Sequence, residues 1–312
     1  MKQTSNRFAP YRVIFSHMRL SFRFIETHPL TSDRRISAYY RYVLFHLWQL
    51  LRHNRPAAVK WVNGVRFYAQ QGEAGIITNL YAGLQDFEEM SFLLHFLRAG
   101  DTFMDIGANV GAYTLLASGV RGAAALAFEP VPDTFKKLVQ NIRLNALDAQ
   151  VQCLELGVGA GESQVNFTDT TDSGTNHVAV GSESDVIRVK MLPLDAFYAS
   201  GNTVSLIKID VEGYEMEVLK GAPLHLQDPT LKAVIIELNG NGQRYGYTDN
   251  QVVSVLLDNG FLPYSYEPFS RSLVRVEHTT PGQVNVLFVR DPEYVSQRLQ
   301  SAPKFRVLSR SI

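Results

Sequence analysis

From Asp101 onward, short and almost wholly apolar segments take turns with amphipathic ones. TFMDIG leads into VGAYTLLASG, AALAFE into PDTFKKLVQNIRLNAL, VSLIKID into GYEMEVLKGA, and KAVIIEL into DNQVVSVLLDNG. A strand with no polar alternation must be covered on both faces, and a helix after each strand supplies that cover. The pattern therefore predicts a parallel sheet flanked by helices. VQCLEL supplies another strand, followed by a more polar, β-rich insert from SQVNFTD to VIRVKML. FLPYSY and QVNVLFV have only a polar loop between them, which predicts an antiparallel pair. Upstream, DFEEMSFLLHFLRAG reads as a helix with Asp86 as N-cap, Glu89 three residues on, and Gly100 as its stop. Asn63-Gly64 inside WVNGVRFYA reads as the turn of a hairpin. The expected organisation is a basic helical and hairpin extension over residues 1–79, one α/β domain over 80–290, and a tail over 291–312.

Charge is spread unevenly. Residues 1–60 hold eleven Lys/Arg against Glu26 and Asp33, a surplus of nine that the rest of a chain with zero net charge must balance. Such an arm can be a solvated, partly packed helical extension, or it can meet an anionic membrane or glycolipid surface. Its most apolar stretch, ISAYYRYVLFHLWQLL, is interrupted by Arg41, His46 and Gln49 and falls short of the roughly 20 apolar residues of a membrane span. Its apolar positions suit a helix packed on a domain. The N-terminus shows no secretory signal pattern. A single cysteine, Cys153, excludes an internal disulfide and fits a reducing compartment, so the expected location is cytoplasmic. The acidic body, lacking an aromatic and basic stripe, argues against nucleic acid as a partner.

In DTFMDIGANVGAYTLLASG (Asp101–Gly119), Asp105 ends the first parallel strand, and Gly107 and Gly111 bracket the turn into the next helix. Ligands of such sheets bind beyond the carboxyl ends of the strands, where strand order reverses. Glu129, ending AALAFE, is placed to accept hydrogen bonds from two ribose hydroxyls. A dinucleotide favours the full G-x-G-x-x-G loop for its pyrophosphate, whereas here Ala108-Asn109-Val110 separates the glycines and Asp105 disfavours a diphosphate. S-adenosylmethionine has no phosphate and carries an ammonium and a sulfonium, so it suits an acidic loop better.

DIGANVGAYT, FEPVPDTFKKLVQNIRLN, IKIDVEGYEMEVLKGA and IIELNG follow one another in an order and spacing that resemble the FkbM family of S-adenosylmethionine-dependent methyltransferases, over about residues 80 to 290. The resemblance implies a class I fold: a Rossmann-like, seven-stranded, mostly parallel sheet with a terminal antiparallel strand pair. It implies O-methylation of a hydroxyl on a sugar, glycan, glycolipid or secondary metabolite. It further implies that Asp105, Gly107, Asn109 and Gly111 line the methionine end of the cofactor, with Thr114 adding a contact. Glu129 would hold the ribose, Pro130 and Val131 would shape the adenine side, and Leu156–Val158, centred on Gly157, would lie near adenine. Asn145, paired with Asn141 in the family pattern, is expected to brace the cofactor loop, and Asn141 to cap or face solvent. The basic extension lies outside the resemblance.

Methyl transfer to an alcohol is helped by alignment and by a base, the latter worth about 10²–10⁴-fold. Asp210 ends VSLIKID and also counts among the expected cofactor contacts. Glu212 follows it, Glu237 nears the end of KAVIIEL, and Asn239 lies just beyond. The loop TDTTDSGTNHV, a candidate lid, carries Asn176 and His177. Asp210, His177 and Glu237 are the candidates for catalysis; Glu212, Asn239 and Asn176 are those for the acceptor. Glu212 reads equally well as a helix cap and His177 as a surface histidine. Glu215 reads as a solvated helix residue, and Asp195 as the cap of the short helix after it. Tyr245, Tyr247, Tyr264 and Arg271 suit either sugar stacking at the mouth or ordinary loop packing. Asp210, Glu212 and Glu237 could offer oxygen ligands to a hard cation, but no metal is expected. A nicotinamide-dependent oxidoreductase on a related sheet and a non-catalytic binding module are the alternative readings.

Overall fold

The computed structural model of the chain describes residues 19–70, 74–170, 173–199, 203–277 and 285–312. Residues 19–27 are helical (α1), and α2 spans Arg35–Leu51. Strands β1 (Ala57–Lys60) and β2 (Arg66–Ala69) form the expected hairpin. Asn63 and Gly64 both take positive φ, 49° and 82°, and Val65 N–H donates to the Val62 carbonyl at 3.1 Å. That is the mirror-image turn whose twist matches a hairpin and which Asn-Gly adopts most readily. The hairpin is followed by α3 (Ala74–Ala82) and α4 (Phe87–Phe96). Asp86 precedes α4, yet its carboxylate does not cap the helix; it accepts a hydrogen bond from the Tyr113 hydroxyl at 2.9 Å. The helix stops at Phe96, before Gly100, which lies in the following turn with φ +93°.

The apolar segments become β3 (Thr102–Ile106), β4 (Ala124–Phe128), β5 (Val151–Leu154), β9 (Val204–Ile209) and β10 (Ala233–Glu237), paired in parallel in the order β5-β4-β3-β9-β10. Every residue of β9 and β10 is buried, which is why neither shows polar alternation. Ala233 and Ile235 enter one hydrophobic layer, Val234 and Ile236 the other, so the sheet is sandwiched between two cores. Beyond β10 the sheet turns antiparallel through β13 (Asn285–Val289) and β11 (Leu262–Glu267). The start of QVNVLFV, Gln283-Val284, lies outside the described residues. An eighth strand, β12 (Ser272–Arg275), extends this edge, one more than expected: Ser270 and Arg271, the latter with φ +56°, turn the chain back so that Ser272 pairs with Glu267. The polar insert, β6 (Gly157–Val158), β7 (Ser163–Thr168) and β8 (Val186–Leu192), forms its own three-stranded sheet.

Helices α5 (Ala112–Thr114), α6 (Pro132–Leu144), α7 (Glu215–Lys220) and α9 (Asp249–Asp258) follow the strands as expected, a short α8 (Pro223–Gln227) is added after α7, and α5 continues as a π-helix over Leu115–Val120. The extension and the tail are built into the same core as the domain. Phe45 of α2, Phe67 of β2, and Phe305 and Val307 after α10 (Pro292–Gln300) all join the layer that contains Phe103 and Leu138. Asp195 caps a later helix than expected, accepting from Leu224 N–H at 2.8 Å and His225 N–H at 3.3 Å at the start of α8.

The asparagine pair of α6 inverts its expected roles. Asn141 is buried; its Oδ1 accepts from Tyr68 N–H at 2.8 Å and its Nδ2 donates to the Val110 carbonyl at 2.8 Å, joining hairpin to glycine loop. Asn145, expected at the cofactor, exchanges hydrogen bonds with the backbone of Arg66 instead and lies outside the cleft. Asn141→Ala leaves the half-buried Tyr68 N–H and the buried Val110 carbonyl unpaired. It is expected to lower unfolding free energy by about 2–3 kcal/mol, against about 1 kcal/mol for Asn145→Ala at its more open site. Urea unfolding of the two variants checks the ranking, which equal losses would contradict.

Candidate active-site cleft

β3 and β9 are parallel neighbours at the point where strand order reverses, so the loops leaving them are forced together. Asp210 N–H donates to the Ile106 carbonyl at 3.0 Å. Gly107, at φ +78°, packs so tightly on Asp210 that a Cβ would run into the Asp210 carbonyl. Gly111, at φ +92°, leads into α5. The two glycines thus have separate causes, close approach at one and a left-handed cap at the other.

Glu129, at the end of β4, keys this loop. Its Oε2 accepts from Asn109 N–H at 2.9 Å and its Oε1 from Val131 N–H at 3.0 Å. Burial pushes the carboxyl up to about 7 despite those two donors. Around it, Phe128, Pro130, Leu156, Gly157, Val158 and Met191 line an apolar arm of the cleft. Asn176 belongs to this arm: its Oδ1 accepts from Thr170 N–H at 2.8 Å, while its buried Nδ2 has no protein partner among the described residues.

The second arm shares Gly107, Asn109, Asp210 and Glu212 with the first and is acidic. Asp86, Asp105, Asp210, Glu212 and Glu237 line it, and among its described lining residues Lys208 is the one cation. The Lys208 ammonium donates to Asp210 Oδ2 at 2.7 Å and sits 4.7 Å from the centre of the Tyr113 ring. Burial alone would lower its proton affinity, but Asp210, Asp105 and Asp86 outweigh burial and raise it. Asp105 is itself buried and accepts from Thr114 Oγ1 at 2.6 Å and Thr114 N–H at 3.1 Å. Thr114 therefore steadies Asp105 and does not line the cleft. Glu237 is pushed up to about 9 by burial, with Asp210, Glu212 and Glu215 adding to it. Its Oε2 and the Oδ1 of its cross-strand neighbour Asn285 are buried acceptors with no donor among the described residues.

Asp210, Glu212 and Glu237 bring one oxygen each within 4.8 Å of one another. Glu212 takes φ +53° and accepts from Asn241 Nδ2 at 2.9 Å, so it does not cap α7. Glu215, expected to be solvated, is the buried one. Burial pushes it up to about 7, and its Oε1 accepts from Gly213 N–H at 3.0 Å and Val211 N–H at 3.3 Å, fixing the Asp210–Gly213 turn. His177 does not line either arm; its ring contacts the Thr175 carbonyl at 2.9 Å and Glu183 at 3.2 Å. Asn239 is exposed and accepts from Asn241 N–H within its own turn. Tyr245 and Tyr247 bond to the Val178 carbonyl and to Glu217. Tyr264 lies in the core, and Arg271 holds backbone carbonyls of the tail at Ala302 and Pro303. Lys208, Asp86, Tyr113 and Asn285 were not anticipated as cleft residues; a lysine inside the otherwise apolar VSLIKID was the one visible signal. Cys153 is half-buried and pushed up to about 11 by burial, an unreactive thiol.

Residues 105–263, just over half of the chain, match the methyltransferase FkbM domain model, and the chain belongs to that family. It is similar to the hexuronic acid methyltransferase AglP of Haloferax volcanii, 30% identical over 149 residues that make up 47% of this chain and 59% of that protein. It is also similar to the methyltransferase sdnD of Sordaria araneosa, at 26% identity over 192 residues, 51% of this chain and 72% of that one. The match to the Haloferax protein thus spans about three fifths of its length. Among solved structures, the FkbM methyltransferase of Methylobacillus flagellatus KT aligns with a TM-score of 0.40 at 16% identity, covering 71% of this chain and 55% of that one.

Four carboxyls titrate late: buried Glu129 and Glu215 at about 7 and Glu237 at about 9, and half-buried Glu89 at about 8, all raised chiefly by removal from water. Each binds its proton more tightly folded than unfolded, so its contribution is fullest below the ordinary value of 4.5 and is lost as pH rises through the raised one. The melting temperature of the ligand-free protein is expected to fall between about pH 6 and about pH 9, with Glu237→Gln flattening the upper part. A wild-type melting temperature that climbs across that window contradicts the assignment.

Proposed function

We propose that the protein is an S-adenosylmethionine-dependent methyltransferase acting on a hydroxyl of a sugar, glycan, glycolipid or secondary metabolite in the cytoplasm. The carrying observation is the two-armed cleft: an apolar arm keyed by Glu129 opens into an arm with five carboxyl groups and one ammonium. A nucleoside fits the first arm, and a ligand with positive charge offsets the second. Both arms would be filled by S-adenosylmethionine, which when bound supplies an activated methyl group. Glu129 would accept the ribose hydroxyls, and the amide of Asn176, without a partner among the described residues, would donate to the nucleoside, a role on the cofactor side in place of the acceptor side. Asp105 and Asp210 would face the cationic end. The likeness to a hexuronic acid methyltransferase supports a sugar hydroxyl as the acceptor.

Glu237 and Asn285 have the chemistry to receive that hydroxyl, since each holds a buried oxygen with no donor among the described residues. Glu237 would orient the hydroxyl and take its proton, and its raised proton affinity makes it a strong base once ionised. Asp210 would keep Lys208 and the turn in place beside it. No cleft contact supports His177 in this role.

Incubation of the full chain with methyl-labelled S-adenosylmethionine and fractionated cell glycans and lipids, read by mass spectrometry, tests the proposal. Labelled carbohydrate is expected, with turnover lowered about 10²–10⁴-fold in Glu237→Gln and cofactor binding kept. Stabilisation by NADH, but not by S-adenosylmethionine or its demethylated product, would instead support an oxidoreductase. Cofactor binding without any labelled product from wild type or Asp210→Asn would leave a binding module.

A further inference from the structure

Helix α2 has two apolar faces. Ala38, Phe45 and Gln49 face the domain, and Gln49 Nε2 donates to the Ala69 carbonyl at 2.9 Å. On the opposite side, Ile36, Tyr40, Val43, Leu44, Leu47 and Leu51 recur at helical spacing, and all are exposed, Ile36 by 86% and Leu51 by 79%. At 100° per residue they fall on one stripe, with no charged side chain of the helix inside it. A continuous apolar stripe of this kind on a surface helix marks a binding face.

Charge selects the occupant. Residues 19–60 hold eight Lys/Arg against Glu26 and Asp33. Both acids already have partners, Tyr39 for Glu26 and Arg310 for Asp33. Arg34 and Arg35 at one end of the helix, and Arg52 and Arg55 just past the other, are exposed. A second copy laid on this face would set one basic segment against another. Residues 1–18 add Lys2, Arg7 and Arg12 and no acid, so they do not neutralise it either. An anionic bilayer does: an in-plane helix sinks its apolar stripe to the acyl boundary while arginines stay among the headgroups, and Tyr40 and Trp48 suit that depth. We infer that α2 docks the protein on anionic membrane through this stripe. No helix among the described residues is long and apolar enough to cross a membrane, so the contact is peripheral. This surface is argued independently of methyl transfer.

The test is co-sedimentation of the full chain with vesicles of phosphatidylcholine alone or with about a third phosphatidylglycerol. Pelleting with the anionic vesicles is expected, weakening at high salt. The double variant Leu44→Asp with Leu47→Asp, at exposed sites that leave the melting temperature unchanged, is expected to bind at least roughly tenfold more weakly. Arg52→Glu with Arg55→Glu should weaken binding in the anionic arm. Wild type left in the supernatant, or an aspartate variant that pellets like wild type, would overturn the inference. So would a dimer in sedimentation velocity that the aspartate variant splits without any vesicle binding, or vesicle binding that begins only once residues 1–18 are removed.

Discussion

A single ammonium buried among carboxylates organises the cleft. Lys208 reaches Asp210 directly, and Asp105 and Asp86 keep it charged in a setting that would otherwise strip its proton. Each of those acids then holds something else. Asp105 holds Thr114 at the end of α5, Asp86 holds the Tyr113 hydroxyl, and the Asp210 carbonyl sits against Gly107. Two strands, two helices and the glycine loop therefore meet at one charge. Removing it would leave several buried acids uncompensated, which costs far more than the loss of one surface ion pair.

The same arrangement crowds acidic groups into the cleft. Buried carboxylates are tolerated only when paired or protonated, and Glu237, Glu129 and Glu215 respond by holding their protons past the ordinary range. Acceptors at Glu237 and Asn285 and a donor at Asn176, without partners among the described residues, add hydrogen-bonding demand on both arms. Ligands that bring positive charge and matching polar groups relieve this. Stability withheld from the free protein becomes binding energy, the trade expected at a functional site.

The parallel sheet was readable in the sequence because TFMDI, AALAF, VSLIKI and AVIIE lack alternation and each precedes a helix. The Asn63-Gly64 turn was readable because both residues tolerate positive φ. The glycine loop and Glu129 were readable because their work is local to one strand-loop-helix unit. What sequence could not show depends on partners far along the chain. Asn141 and Asn145 look alike in α6, and only the docking of the hairpin residues Tyr68 and Arg66 decides which one reaches Val110. Glu215 reads as a solvated helix residue until the Gly213 turn folds over it. Asp195 looks like a cap for the residues after it, but α8 comes back to claim it. His177 and Asn239, polar residues in polar loops, found partners inside their own turns.

The central claim is that the acidic arm selects a cationic cofactor and ionises when it binds. Titration calorimetry of S-adenosylmethionine into the full chain near pH 8, repeated in buffers of different ionisation enthalpy, measures this directly. Positive charge beside carboxyls held protonated by burial should expel protons, so net proton release on binding is the predicted result. Binding with proton uptake, or no binding heat in any buffer, would contradict the account.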